Sequence, residues 1–185
     1  MRVEIIDDTE DRGPVAVFPP PEDYVDLREN PHAVERIAPA RQYPPLRTFL
    51  TAVNGADSSF SSASASTRAD SPASVTVGEA YEFSSQASLV FADPSLNFER
   101  DIFVDLTAGL KELLERDSGG SIRTVLRISP CDFRTQNRRG FCLGIRVVAR
   151  GVSAEQAEMR CGLGLARLQQ ALLFRARTLR QQISE

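Results

Sequence analysis

The sequence predicts an α+β domain: a ferredoxin-like (split βαβ) plait or a related strand–helix–strand–strand–helix sandwich, preceded by an extended Pro-rich arm. Three observations carry that prediction. Apolar residues alternate with polar ones over residues 79–91, 122–128 and 141–149. They recur at three- and four-residue spacing over 98–114 and again over 161–179. Nine of the eleven prolines fall before residue 73, where each removes a backbone donor and restricts its predecessor, so long helices are excluded there.

The 185 residues suffice for one ordinary domain with an extension, and a hydrophobic share of 42% supplies a core. The charged share of 25% argues against wholesale disorder. No run of about 18 apolar residues offers a membrane span. The start, Met1-Arg-Val-Glu-Ile-Ile-Asp-Asp8, lacks the basic and apolar regions of a secretory signal, so a cytoplasmic or particle-associated protein is expected.

Residues 1–53 read as an extended arm with one short helix. Its apolar pieces are Val3–Ile6, Val15–Phe18 and Leu46–Val53, the last long enough for two helical turns. Such an arm buries little alone, so it is expected to drape over its own domain or a neighbouring subunit. Residues 54–77, rich in Ser and Ala, read as a flexible linker or surface loop.

The domain proper is expected over residues 78–185. Tyr81, Phe83, Ala87, Leu89 and Phe91 face one side of a strand; Glu82, Ser84, Gln86 and Ser88 face the other. Asp93-Pro94 breaks it, and Ser95 or Asn97 is placed to cap a helix striped by Phe98, Ile102, Leu106, Leu110, Leu113 and Leu114, which Gly119-Gly120 ends. Ile122, Thr124, Leu126 and Ile128, then Phe141, Leu143, Ile145, Val147 and Ala149, form an antiparallel hairpin joined by a loop over 130–140. Ser153 and Gln156 are spaced as a capping box, opening a helix that runs to about Gln182, about 42 Å long. The plait's fourth strand is missing from residues 78–185, and Val3–Ile6, Val15–Phe18 or a partner chain could supply it.

The residues point away from several chemistries. His32 is the single histidine and lies in the arm without a Cys or Ser motif beside it, so no nucleophile–base pair assembles. Cys131, Cys142 and Cys161 are odd in number and contain no CxxC pair, which reads as small apolar residues and neither a zinc site nor a disulfide framework. No phosphate loop, Gly-x-Ser-x-Gly or dinucleotide fingerprint is present, and Gly162-Leu-Gly164 reads as a close helix approach. No catalytic residue, cofactor or metal is expected.

Charge is the remaining signal. Residues 1–117 carry 21 acidic and 10 basic side chains, whereas residues 118–185 carry 4 and 12. Only Lys111 is a lysine, so this basic surface is arginine, whose planar fork suits carboxylates and phosphates. Pairing Leu126 with Ile145 and Ile128 with Leu143 sets Arg123, Arg127, Arg146 and Arg150 on the face away from the core, with Arg134, Arg138 and Arg139 at the tip. Three readings follow. Such a surface meets acidic protein, on this chain, another copy or another subunit of an assembly; or it meets nucleic acid phosphates, although stacking aromatics are few; or it is solvated charge. The first is preferred, giving a non-enzymatic structural or assembly subunit that homo-oligomerises or docks into a larger complex. By fold-level analogy that suits a connector-type virion component of a phage-like particle; a small enzyme without a recognisable motif is the last alternative.

Overall fold

Period-two sequences pair, and the pairing of the hairpin organises the whole sheet. A computed structural model describes residues 1–10, 15–20, 24–70, 81–116 and 120–183. Its elements run β1 (Arg2–Asp7), β2 (Ala16–Phe18), α1 (Ala38–Gln42), α2 (Pro44–Val53), β3 (Phe60–Asp70), β4 (Tyr81–Phe91), α3 (Arg100–Glu115), β5 (Ile122–Phe133), β6 (Arg138–Gly151) and α4 (Ala154–Ile183). Short 3-10 turns occupy Pro31–Arg36 and Pro94–Phe98. The fold is α+β, a six-stranded mixed sheet with helices packed on one face.

β5 and β6 pair in the predicted register, Leu126 opposite Ile145 and Ile128 opposite Leu143. The hairpin is longer than predicted, because residues 130–133 and 138–140 are strand and not loop. Pro130 explains the misreading. Ile128 O accepts from Asp8 N and Arg134 N donates to Phe18 O, so the even residues of β5 direct their backbone groups away from β6. The N–H that Pro130 lacks therefore falls between β1, whose register ends at Ile128, and β2, whose register begins at Cys131. A proline there breaks no ladder bond.

β6 lies between β4 and β5, antiparallel to both. The position beside β4 is filled by β3, from the stretch read as a linker. That reading is corrected: Phe60–Asp70 is a strand, and residues 71–77 lie outside the described residues. Val3–Ile6 and Val15–Phe18 do join the sheet, but in parallel along the opposite edge, as β1 and β2 on β5. Val3 N donates to Glu115 Oε1 at 3.0 Å, satisfying part of that edge.

The arm belongs to the same core. Met1, Val3, Leu27, Val34, Leu46, Phe49 and Leu50 are buried with Leu126, Leu143, Ile145 and the apolar stripes of α3 and α4. Arg28 Nη1 donates to the carbonyls of Gly55, Ser58 and Phe60, fastening the arm where β3 begins. Tyr43 packs on Phe83 and donates its hydroxyl to Glu158 O at 2.8 Å, reaching α4.

Helix ends follow local chemistry. Neither Ser95 nor Asn97 caps α3, whose N-cap Glu99 makes no side-chain cap bond; instead Asp93 accepts from Ser95 N and caps the preceding turn. α3 ends at Glu115, and Gly119 lies outside the described residues. At α4, Ser153 Oγ accepts from Gln156 N at 3.2 Å as the capping box requires, while Gln156 Oε1 accepts from Val152 N, one residue earlier than expected.

The close helix approach predicted for Gly162-Leu-Gly164 is present at Gly162, whereas Gly164 lies against the sheet. A Cβ on Gly162 would meet Pro45 Cγ of α2 at 3.1 Å, and one on Gly164 would meet Val147 Cγ1 at 2.6 Å and Ile122 Cγ2 at 2.9 Å. Gly164→Ala gains about 1 kcal/mol in helix propensity but overpacks stiff β-branched neighbours at a cost of about 1–3 kcal/mol. The expected result is a thermal midpoint lower by roughly 2–6 °C, read by circular dichroism.

Candidate partner-binding surface

The α-helices cover one face of the sheet, and the register places the arginines on the other, where the Pro94–Phe98 turn covers only the tip end. Across the strands β1-β5-β6-β4-β3, one row reads Ile6, Arg127, Gly144, Ser88, Ser64. The next reads Glu4, Val125, Arg146, Gln86, Ser66, and the next Arg2, Arg123, Val148, Ser84, Arg68. Arg150 follows beside Glu82. Arg123, Arg127, Arg146 and Arg150 thus share one helix-free face.

A shallow groove of about 690 Å³ crosses this face, with Val125 and Gly144 in its floor and Arg123, Arg127 and Arg146 around it. Gly144 deepens it: a Cβ there would sit 3.6 Å from Arg127 Cβ, ordinary contact, so the position is open and not sterically forced. Ser64, Gln86, Ser88 and Ser129 add neutral hydrogen-bonding groups. Val148 is buried on this nominally open face, beside Arg123 and Ser84 in register and flanked along its strand by Arg146 and Arg150, whose stems can cover it.

Three of the four arginines are held by carboxylates of the same chain. Arg127 lies 2.8 Å from Asp8, Arg150 3.1 Å from Glu82 and Arg123 3.6 Å from Glu4. Arg146 donates to Ser84 Oγ at 3.3 Å and meets no carboxylate among the described residues. At the helical side of the same edge, Arg100 pairs with Asp7. Bonds from the Thr9 side chain, then from Thr9 N and Arg100, hold the Asp7 carboxyl below its ordinary range. The acidic N-terminal region and the basic C-terminal region therefore meet inside this chain. Such half-exposed pairs are each worth about 0–1 kcal/mol, so their effect is to orient the guanidinium groups more than to stabilise the fold.

Of the tip arginines, Arg138 shares the face of the four by register but is held at its far end, and Arg139 does not share it. Arg139 pairs with Asp132 at 2.9 Å and, by period two, lies on the other face of the hairpin. Arg138 stacks over the Phe98 ring at 4.1 Å, a cation–π contact that fastens the turn before α3. Arg134 donates its backbone N–H to Phe18 O in the β2 segment. The arginines of α4 lie in the helical layer, where Arg160 Nη1 donates to Arg150 O and Arg175 packs over Gly109.

Other polar candidates are scattered. His32 is exposed in the Pro31–Arg36 turn. Among the described residues no three His, Cys, Asp or Glu side chains gather as metal ligands, and no helix is long and apolar enough to cross a membrane. All three cysteines are free and buried. Cys131 and Cys142 form, with Val90 and Phe133, a small apolar cluster at the tip end of the open face, and a hydrogen bond with Cys142, then burial, raise the Cys131 thiol.

Sequence reasoning found the four arginines but missed the groups around them. The polar residues Ser84, Gln86 and Ser88 were visible as one side of a strand; that β4 would lie against β6 and bring them beside Arg146 was not. Glu4 and Asp8 reach Arg123 and Arg127 only because β1 runs parallel along β5. No protein-family model, no curated protein and no solved structure matches this chain.

Proposed function

We propose that this chain is a non-enzymatic docking subunit of a larger assembly, whose working surface is the helix-free sheet face and whose partner presents carboxylates. One observation supports this most: Arg123 and Arg127, already oriented by Glu4 and Asp8, stand with Arg146 around an open groove. A guanidinium has five N–H donors, and a single carboxylate contact leaves others directed outward. Pre-orientation lowers the ordering cost of binding, and complementary charge contributes register and specificity. The helical layer behind the sheet leaves this face accessible to an extended acidic segment. A connector-type component of a phage-like particle is the setting that fold-level analogy suggests. As the finer fold description we propose a ferredoxin-like plait built on β4, α3, β5, β6 and α4, with β3 in the fourth position and β1 and β2 added at the edge.

A fluorescein-labelled oligoglutamate peptide and labelled single-stranded DNA, followed by anisotropy against the full chain, test the proposal. The peptide is expected to bind at low salt and weaken as salt rises, and Arg146→Glu is expected to weaken it about tenfold or more with the circular dichroism spectrum unchanged. Peptide binding that is absent, or indifferent to Arg146→Glu, overturns the proposal. Binding of DNA without binding of the peptide replaces it with the nucleic-acid reading.

A further inference from the structure

The helical layer carries a second surface, and its chemistry differs from that of the sheet. Of the six large apolar side chains exposed among the described residues, four lie between Val152 and Phe174. Three of these are on α4: Met159, Leu163 and Phe174, exposed by 60%, 55% and 58%. With exposed Ala166 and Gln170 they make one strip along α4, spaced by four, three, four and four residues. Ala157, Cys161, Leu165, Leu168 and Leu172 occupy the opposite, buried side. A single solvated helix needs one apolar stripe, and α4 has two. The spacing of the outer one suits a second helix. Between α3 and α4 a groove of about 350 Å³, lined by Leu113, Leu114 and Phe174, widens the strip.

We propose that a second copy of this chain covers the strip, the two α4 helices packing antiparallel about a two-fold axis beside Ala166. Charge selects the partner and the direction. Exposed Glu155 and Glu158 stand near the start of α4, and exposed Arg167 and Arg177 stand further along it. Antiparallel pairing sets the acidic start of one helix against the arginine-bearing end of the other; parallel pairing sets acid against acid. An axis between Ala166 and Arg167 brings Met159 opposite Phe174, Leu163 opposite Gln170, and Glu155 within reach of Arg177. The small Ala166 side chain at the axis lets the backbones approach. A two-fold contact of this kind uses one patch twice and closes on itself, as a dimer requires. The two sheet grooves then face outward from the dimer, so this inference neither needs nor blocks the docking proposed for them.

Light scattering on the eluting full chain tests it. At about 0.1 mM, well above the Kd of an ordinary specific interface, the mass is expected to be twice the 20.4 kDa of one chain. Leu163→Glu with Phe174→Glu is expected to return it to one chain with helical content and oligoglutamate binding unchanged. Glu155→Arg is expected to weaken the dimer, and adding Arg177→Glu to restore it. If the double glutamate variant loses its fold, Met159→Lys supplies the same readout. A wild-type monomer, a dimer that survives these substitutions with the fold intact, or a charge exchange that fails to restore association overturns the proposal.

Discussion

Gly140→Ala is expected to cost about 3 kcal/mol or more, among the largest effects of any single methyl group in this chain. A Cβ on Gly140 would lie 2.3 Å from Asn97 O, 2.9 Å from Phe98 Cδ1 and 3.1 Å from Asn97 C. Two of those atoms are backbone, and the third belongs to a ring clamped under Arg138 and against Phe133. No side-chain rotation relieves the overlap, so the Pro94–Phe98 turn must move away from β6. Urea denaturation of the variant against wild type gives the loss directly, as a lower midpoint at unchanged slope. A loss below about 1 kcal/mol would show that the turn yields freely, contrary to the packing described.

Asn97→Ala is expected to cost about 2–5 kcal/mol, through lost hydrogen bonds and not through overlap. Asn97 is 1% exposed; its Oδ1 accepts from Phe91 N at 2.7 Å and its Nδ2 donates to Phe91 O at 2.9 Å. The side chain thus continues the ladder where β4 leaves β6, while Phe60 of β3 still lies opposite Phe91. Truncation leaves both backbone groups of a buried residue without a partner, each costing about 1–3 kcal/mol. Hydrogen exchange is the sharper measurement: the Phe91 amide is expected to lose protection while amides in the middle of β5 keep theirs. Because both changes loosen the same turn, the Gly140→Ala, Asn97→Ala double variant is expected to lose less than the two single losses combined.

The contrast between what was legible and what was not has a physical basis. Leu126, Ile128, Leu143 and Ile145 alternate with charged or small residues, so a slip of one would bury arginine, and this fixed the register in advance. α4 was legible from its capping Ser153 and its leucine stripe. β3 was not, because Ser and Ala differ too little in hydropathy for Ser64 and Ser66 to stand out from Ala65 and Ala69. Its strand state comes from tertiary context: Ala65 faces Ala87, Ala69 faces Phe83, and Asn54 holds Ser62 by both side chain and backbone. Pro130 looked like a loop residue because its tolerance depends on a gap between two other strands. The arginine face was legible from period two alone. Its acidic partners were not, since a parallel neighbour from the far end of the chain leaves no local mark.

That parallel neighbour also sets an order of events. Val3 faces Thr124 and Ile5 faces Leu126, so the strand made earliest acquires its hydrogen-bonded neighbour only when most of the chain exists. A polypeptide interrupted anywhere before β5 holds Val3, Ile5 and Ile6 without that partner, while α2 and the β3–β4 hairpin can already pair locally. Such long-range pairing slows folding and exposes intermediates, because loop closure must precede the contacts that reward it. Only when β5 arrives beside β1 do Glu4 and Asp8 meet Arg123 and Arg127, so the ion pairs that orient the arginine face form with the last pairing at this edge.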